Sequence, residues 1–451
     1  MQKISRTELQ MARGRITPLF LRYALPGVLA MVFLALQTIA DGFIVGRLIG
    51  ADALAAVNIA APAYSVVTAV AMIIGIGTQA QLSINLGAGN YRDAKTAFVS
   101  GLAGVTLFSV CGTLLVNLRA EQLASALGAD EVLLADTVGY IHGVMPWLVG
   151  IAAHIFFDNM LKAAGHPRFA MAITVSTIVM NVILSLIFVT VFDMGTFGAG
   201  LGTGISFTCG GLASCILFFS KLNRIPSLKE AKGEFSLESL GHIFYNGSSE
   251  GLSEFAYAVT TFLFNVTLMQ YVGKEGVSAF TLISYLTYLG ISISLGVSTG
   301  LIPVISYNHG AGNDKRVRRI VNLALKTNMA CGALFLLVLF FLGRHICSIF
   351  IDPSDVKVME YAVQGARFTA FAFLFNGFNI LASSYFTAID KAGYSLLVAS
   401  LRGLLILSVC IILLPKLLGF EGIMLAMPIA EAITFVTALA VMRKYVYRRS
   451  S

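Results

Sequence analysis

Three carboxylates lie inside long apolar stretches of this sequence: Asp41, Glu254 and Glu431. A charged side chain near the centre of a membrane-spanning helix costs roughly 2.5–3.5 kcal/mol even on the lenient insertion scale, so each of these acids needs a reason to be there. In such surroundings a carboxylate can take up and release a proton near neutral pH, or bind a small cation when ionised. The three residues are therefore candidates for a site that couples ion movement to another process.

Each carboxylate also has a structural alternative. Asp41 could be an interfacial acid paired with Arg47, six residues further along the chain. Glu254 and Glu431 are predicted near the middle of their apolar runs, and Arg402 is predicted at a comparable depth. An ion pair with Arg402 is therefore the alternative to a coupling role for either glutamate.

Amide and aromatic side chains complete the set of groups that could bind a ligand. The amides within the apolar runs could line a polar cavity or join helices; they are Gln37, Asn58, Asn181, Asn265, Asn376 and Asn379. The 32 phenylalanines and 15 methionines supply flat and soft surfaces, which tolerate varied ligands. Because an acid among aromatic rings suits an organic cation, we expect small organic cations or drugs as binding partners.

Long apolar helices must position these residues. The chain is 57% hydrophobic and only 12% charged, whereas a soluble domain has roughly 25% charged residues. A helix crosses a bilayer with about 20 apolar residues, and the runs here are too long for barrel strands. Twelve spans are predicted, near residues 19–47, 54–77, 96–118, 138–161, 168–191, 198–219, 243–270, 277–303, 320–342, 361–386, 394–415 and 420–442.

Repeated turn sequences divide the chain into halves. Gly87–Asn90 and Gly310–Asn313 both read Gly-Ala-Gly-Asn after an apolar run, 223 residues apart, and Gly50–Ala56 matches Gly273–Ala279 at the same offset. This spacing indicates duplication of one membrane unit, as in two-lobed transporters with a cavity between the lobes. We predict an all-α membrane protein with twelve transmembrane helices in two pseudo-symmetric six-helix lobes, over 1–220 and 241–451, joined by a cytoplasmic linker over 221–240. Glycine should cap the second and eighth spans in the left-handed conformation.

The distribution of charge predicts the orientation. In the twelve-span register, 23 of the 31 lysines and arginines fall on the side of the termini, which places both termini in the cytoplasm. The basic charge then contacts anionic membrane lipids, and no nucleic acid is expected as a partner. The six scattered histidines form no catalytic cluster and the chain has no ATPase signature, so an enzyme is not expected. No CxxC pair occurs among the six cysteines, so neither a disulfide nor a structural metal site is expected.

Six short segments along the chain form a specific set. They are Gln37 with Asp41-Gly42-Phe43-Ile44-Val45-Gly46, Ala53-Leu54-Ala55-Ala56-Val57 with Pro62, the two Gly-Ala-Gly-Asn segments, Leu161–Gly165, and Asn376-Gly377-Phe378-Asn379. As a set they resemble the multidrug and toxic compound extrusion (MATE) family of secondary transporters, closest to the bacterial branch with NorM- and MepA-like pumps. The resemblance implies a monomeric antiporter of the bacterial inner membrane. It would export amphipathic, cationic compounds in exchange for H⁺ or Na⁺, with no other cofactor.

The resemblance also implies roles for residues of the N-terminal lobe. Asp41 would be its key acid, with Asn181 and Thr203 nearby. Many relatives have a second acid four residues after this asparagine, where the present chain has Ser185. Asp158 is a candidate replacement, although its position near the inner end of the fourth span favours a salt bridge at the cytoplasmic surface.

In the C-terminal lobe, some relatives bind a coupling cation through acids on the seventh and tenth spans. Glu254 is similar to the first only in approximate spacing, and the tenth span offers Asn376 and Asn379 instead. The choice between H⁺ and Na⁺ therefore stays open. The predicted coupling set is Asp41, Asn181, Thr203, Glu254 and Glu431, and the predicted substrate cavity includes Gln37, Asp158, Asn376 and Asn379.

The sequence is less consistent with two other functions. A lipid-linked oligosaccharide flippase of the same superfamily would need a basic cavity for a pyrophosphate, whereas the charge within the spans is mostly acidic, with Arg402 as the exception. A membrane-embedded enzyme would need a cluster of His with Asp, Glu or Ser at the membrane surface, and the sequence offers none.

Overall fold

The computed structural model describes residues 6–222, 229–351 and 355–447, and these ranges are helical and contain no strand. Eleven of the described helices are long and apolar enough to cross a membrane, and a twelfth span is interrupted. The helices are α1 Ile16–Ile49, α2 Ala51–Ala88, α3 Tyr91–Leu118, α4 Leu134–Ala163, α5 Pro167–Thr190, α6 Gly195–Ser220, α7 Leu237–Tyr271, α8 Lys274–Gly310, α9 Asp314–Phe350, α10 Val356–Ala370 with Phe373–Ala388, α11 Ala392–Leu413 and α12 Pro415–Tyr445. Two short helices, Arg6–Arg13 and Ala120–Ala126, lie outside the spans. The predicted all-α, multi-pass architecture is confirmed.

The predicted linker overlaps both of its neighbouring helices. Helical structure continues from α6 to Leu222, and α7 already begins at Leu237. Residues 223–228 of the predicted linker 221–240 lie outside the described residues. The boundary between the lobes therefore stays a prediction.

The tenth span is interrupted at the same place as its counterpart in the first half. α10 breaks between Ala370 and Phe373, and α4 contains a 3₁₀ turn at Met145–Trp147. These positions are 225 residues apart, the offset that relates Leu161–Gly165 to the second half. Pro146 explains the turn in α4, because proline lacks a backbone donor, but α10 has no proline at its break. The interruption therefore belongs to the repeated architecture rather than to one residue.

The two Gly-Ala-Gly-Asn segments end α2 and α8, as the sequence predicts. Gly89 has φ 78° and Gly312 has φ 69°, a left-handed conformation that glycine adopts without steric cost. The backbone N–H of Asn90 and that of Asn313 each donate back to the carbonyl five residues earlier, at 2.9 and 2.8 Å, in a Schellman arrangement.

The first glycine of each segment lies where the two halves of the molecule cross. A Cβ at Gly87 would lie 2.0 Å from the carbonyl oxygen of Tyr307, and a Cβ at Gly310 would lie 1.9 Å from that of Ile84. Tyr307 and Ile84 are themselves 223 residues apart, so the two contacts are equivalent across a pseudo-two-fold axis. Both crossings need glycine, because any side chain would collide with backbone of the opposite lobe.

Further close crossings lie in the same half of the molecule, on the side of the chain termini. A Cβ at Gly27 of α1 would lie 2.2 Å from the Gly296 carbonyl oxygen of α8, and one at Gly247 of α7 would lie 1.9 Å from the Ile73 carbonyl oxygen of α2. The largest cluster of buried apolar side chains spans both lobes there. Towards the opposite side, each lobe has a buried cluster of its own. The lobes are therefore closed against each other on the terminal side.

Replacing Gly87 by alanine tests this closure. The added Cβ would overpack the crossing, so we expect the free energy of unfolding to fall by about 1–3 kcal/mol and the terminal side to open. The readout is thiol labelling of Ser83→Cys, a fully buried position, in a background with the six native cysteines replaced by serine. Labelling should become several-fold faster.

The matched control is Gly112→Ala on α3, where a Cβ would meet only Val67 at an ordinary 3.6 Å. Labelling that rises equally in both variants would contradict the role of the Gly87 crossing.

Candidate coupling and ligand site

Asp41 lies in a polar cluster within the N-terminal lobe. Gln37, one turn earlier on α1, places its Nε2 3.4 Å from Asp41 Oδ2, and its amide lies 2.9 Å from the amide of Asn181 on α5. With its nitrogen turned towards α1, Asn181 donates to Asp41 Oδ1 at 3.1 Å, and its oxygen accepts from the Thr203 backbone N–H and hydroxyl at 3.3 and 3.0 Å. The structure thus brings together Gln37, Asp41, Asn181 and Thr203. The coupling role of the last three and the substrate-cavity role of Gln37 stay predictions.

Close packing of α5 and α6 allows this cluster to form. A Cβ at Gly202, next to Thr203, would lie 2.6 Å from the hydroxyl oxygen of Ser185. Small residues that let helix backbones approach are typical of membrane interfaces, and the glycine-rich start of α6 serves this purpose. Ser185 is buried, with its hydroxyl 3.5 Å from the Asn181 amide, so the position of the missing second acid is part of the cluster.

Asp158 lies in a different environment. Its carboxylate forms an ion pair with Lys162 at 2.5 Å, one turn further along α4, and accepts from the Thr174 hydroxyl at 3.2 Å. Thr174 and Asn181 are seven residues apart on α5, which is about 10 Å along the helix axis. The predicted salt bridge is therefore present, and Asp158 is not brought to the cluster around Asp41. Asp41 itself forms no ion pair with Arg47 among the described residues.

Glu431 is the centre of a buried network in the C-terminal lobe. Its Oε1 accepts from Asn376 Nδ2 at 2.7 Å and from Arg402 Nε at 3.0 Å, and its Oε2 accepts from Asn379 Nδ2 at 2.6 Å. All partners are donors, which matches an ionised carboxylate that only accepts. Of the two charged side chains, that of Glu431 is 4% exposed and that of Arg402 is 19% exposed. The ion pair that the sequence left as an alternative is formed by Glu431.

Asn376, Asn379 and Arg402 lie in different local environments. Asn376 and Asn379 are fully buried, and they position Glu431 instead of reaching an open space in this conformation. Arg402 lies in a π-helical turn, Leu401–Leu405, an irregularity that is frequent at functional sites. The substrate-cavity prediction for the two asparagines stays a prediction.

Glu254 is an exposed residue of α7. The tyrosines within its electrostatic reach lie on helices of both lobes. Tyr64 of α2 is within reach of both Asp41 and Glu254, and Tyr257 and Tyr288 are within reach of Glu254. The two acids of different lobes therefore lie close to the same tyrosine.

Sequence reasoning missed these tyrosines, although one signal was present. Tyr257 follows Glu254 by three residues, and Tyr285 and Tyr288 are three residues apart on α8, so each pair shares a helix face. The Tyr285 hydroxyl lies 3.5 Å from where a Cβ at Gly42 would be, next to Asp41 in the opposite lobe. The spacing of these tyrosines, one helical turn from an acid or from one another, is the sequence signal that identifies them.

A cavity of about 130 Å³ lies inside the C-terminal lobe, between α7, α8, α10, α11 and α12. Arg402 and Glu431 form part of its wall. The rest of the wall combines aliphatic residues with aromatic, methionine and hydroxyl-bearing side chains, which include Tyr257, Tyr288, Phe264, Phe280, Met424, Met427, Thr260 and Thr287. The rings of Phe264 and Phe280 stack with centroids 4.6 Å apart. Such a surface suits a compact aromatic ligand.

These features define a class of protein: a duplicated, two-lobed helical membrane protein, closed on the terminal side, with an acid from each lobe near one tyrosine. The sequence profile of the MatE family matches residues 26–187 and 251–413. The chain belongs to the MatE family, which confirms the resemblance found in the sequence.

Individual relatives agree with this assignment. The chain is 24% identical over 428 residues to the multidrug export protein MepA of Staphylococcus aureus (strain N315), with 93% of this chain and 92% of the relative covered. It is also 24% identical over 423 residues to MepA of Staphylococcus saprophyticus, with the same coverage. Among solved structures, a MATE in complex with MaL6 has a TM-score of 0.92 at 21% identity, covering 98% and 99% of the two chains. An outward-facing multidrug resistance MATE transporter of the MOP superfamily has a TM-score of 0.90 at 20% identity, with both chains fully covered.

Replacing Arg402 by glutamine tests the buried ion pair. The change leaves Glu431 charged and without its cation, and breaking a buried pair in this way costs about 3–5 kcal/mol. We expect a lower unfolding temperature of the detergent-purified protein. The double variant Arg402→Gln/Glu431→Gln removes both charges and should recover most of this loss.

Arg344→Gln, at an exposed arginine of α9, is the control and should unfold like the unmodified protein. If Arg402→Gln were equally stable, the pair would contribute nothing to the fold.

Proposed function

We propose that this protein is a secondary multidrug efflux antiporter that exports amphipathic, cationic compounds in exchange for H⁺ or Na⁺ across the bacterial inner membrane. The observation that supports the proposal most is that Asp41 and Glu254, from different lobes, both lie within electrostatic reach of Tyr64 on α2. The multidrug export proteins among the relatives support the substrate class. Family membership supports a transporter rather than an enzyme.

Alternating access follows from the closed and open halves of the molecule. With the termini in the cytoplasm, the glycine crossings seal the cytoplasmic side, and the acids face a space open to the outside. An ion taken up there at Asp41 removes one negative charge from the polar cluster. Ion and drug must each prefer a different state of the lobes, since a ligand with equal affinity for both states would not shift the equilibrium between them.

The amides around Asp41 can accommodate both of its charge states. With the Asn181 nitrogen turned towards Asp41, an ionised carboxylate accepts from it at 3.1 Å. With the Asn181 oxygen there instead, that oxygen accepts from Gln37 Nε2 at 2.9 Å and can also accept from a protonated Asp41. A single carboxylate among neutral groups supports H⁺ more than Na⁺, because Na⁺ would need several oxygen ligands around it. An acid at the position of Ser185 would be the most useful additional ligand for Na⁺, and this chain lacks it.

Dye efflux from proteoliposomes under separately imposed pH and Na⁺ gradients tests the proposal. We expect the unmodified protein to respond to one gradient, and we expect Asp41→Asn to lose this response while staying folded, because an amide neither exchanges a proton nor carries charge. The control is Asp52→Asn, an exposed acid at the start of α2, which should transport normally. Normal rates in Asp41→Asn would refute the assignment of Asp41.

Glu254→Gln should have a smaller effect in the same assay. Glu254 has no charged partner among the described residues and faces the open space, so we expect it to attract the cationic dye rather than to carry the coupling ion. Initial rates should fall several-fold at low dye concentration and approach normal values at saturation. Rates that match the unmodified protein at every concentration would return Glu254 to a structural role.

A further inference from the structure

The ion pair in the wall of the C-terminal cavity has one fixed and one loosely held partner. Both oxygens of Glu431 are bound by asparagine amides at 2.6–2.7 Å, so the carboxylate keeps its place whatever Arg402 does. Arg402 makes a single hydrogen bond within the described residues, through Nε. It therefore lacks the bidentate geometry of a strong arginine–carboxylate pair.

A second acid lies near the guanidinium of Arg402. Glu250 of α7 is buried, with 8% exposure, and lies within the electrostatic reach of Arg402. The π-helical turn that contains Arg402 offers a local place where the backbone can readjust. With both glutamates ionised, Arg402, Glu250 and Glu431 together carry one net negative charge, which a single monovalent cation would neutralise.

The remaining wall of the cavity complements an aromatic cation. Stacked phenylalanines and two tyrosines offer ring faces, and a cation over such a face is attracted by its quadrupole. Thr287 also lines the cavity; its side-chain oxygen is buried and has no hydrogen-bond partner among the described residues. A ligand with a polar atom would supply that partner.

We propose that this cavity binds small aromatic monocations, and that Arg402 is a tethered cation which the ligand displaces from Glu431. The inference rests on the proposed function and assigns its ligand to the C-terminal lobe, away from Asp41. Displacement moves the guanidinium towards Glu250, so Glu431 has a positive charge beside it in the empty and in the occupied state. The bound cation neutralises the net negative charge of Arg402, Glu250 and Glu431.

Binding of 1-methyl-4-phenylpyridinium to the purified full-length protein in lipid nanodiscs tests this, with 4-phenylpyridine at pH 8 as its neutral analogue. We expect the cation to bind at least about tenfold more tightly than the analogue. Glu431→Gln should reduce this preference to about one. Arg402→Gln should tighten cation binding about tenfold, because the competing charge is gone, whereas Arg402→Lys keeps the charge and should resemble the unmodified protein.

Two further variants keep the test decisive. If Arg402→Gln is too unstable for calorimetry, Arg402→Gln/Glu431→Gln removes both charges and should bind the two compounds equally. Asp41→Asn should lose gradient-driven efflux but keep the preference for the cation, which separates failure of this inference from failure of the proposed function. A preference that survives in Glu431→Gln, or that disappears in Asp41→Asn, would overturn the C-terminal cavity as the ligand site.

Discussion

A carboxylate inside a membrane span must find hydrogen-bond donors close by, and the two lobes meet this requirement differently. In the N-terminal lobe, Asp41 has only neutral neighbours, the amides of Gln37 and Asn181. Nothing there holds the acid in one charge state. In the C-terminal lobe, Glu431 has two amides and the guanidinium of Arg402 as partners. Under the proposed function, the first acid exchanges the coupling ion and the second binds the cationic ligand.

Close backbone contact joins the two lobes on the terminal side of the molecule. The first glycine of each Gly-Ala-Gly-Asn segment crosses the other lobe, and the second turns the chain towards the next helix. One short motif therefore closes the terminal side and connects two spans. Lipid supplies little hydrophobic drive between helices, so such seams depend on the fit of small residues. A seam of this kind suits a molecule that must open on alternate sides.

The sequence predicted the helices, the turns at Gly89 and Gly312 and the neighbours of Asp41 more completely than it predicted the C-terminal site. Apolar length and glycine position are local signals, and Asn181 and Thr203 came from the resemblance. Counting residues along a span gives depth in the membrane but not the direction in which a side chain points. For that reason Arg402 could be paired with Glu254 or Glu431 on sequence alone, and Tyr64 was not recognised. The break in α10 lacks the proline that marks it in α4, so no local signal predicted it.

The duplicated halves have diverged most where their charges lie. At the offset of 223 that relates α1 to α7, Asp41 corresponds to Phe264, which lines the C-terminal cavity. Gly195 and Gly198 of α6 match Gly419 and Gly422 of α12 at an offset of 224. At this offset Glu431 corresponds to Phe207, which is buried in the core of the N-terminal lobe. Each lobe thus has an aromatic ring where its partner has an acid, so neither lobe contains a copy of the other's site. The chain therefore has not retained two equivalent ion sites from the duplication. Ion and ligand can instead bind in different lobes, and the rigid helices that cross at the glycine seam couple them, because both lobes must move together when it opens.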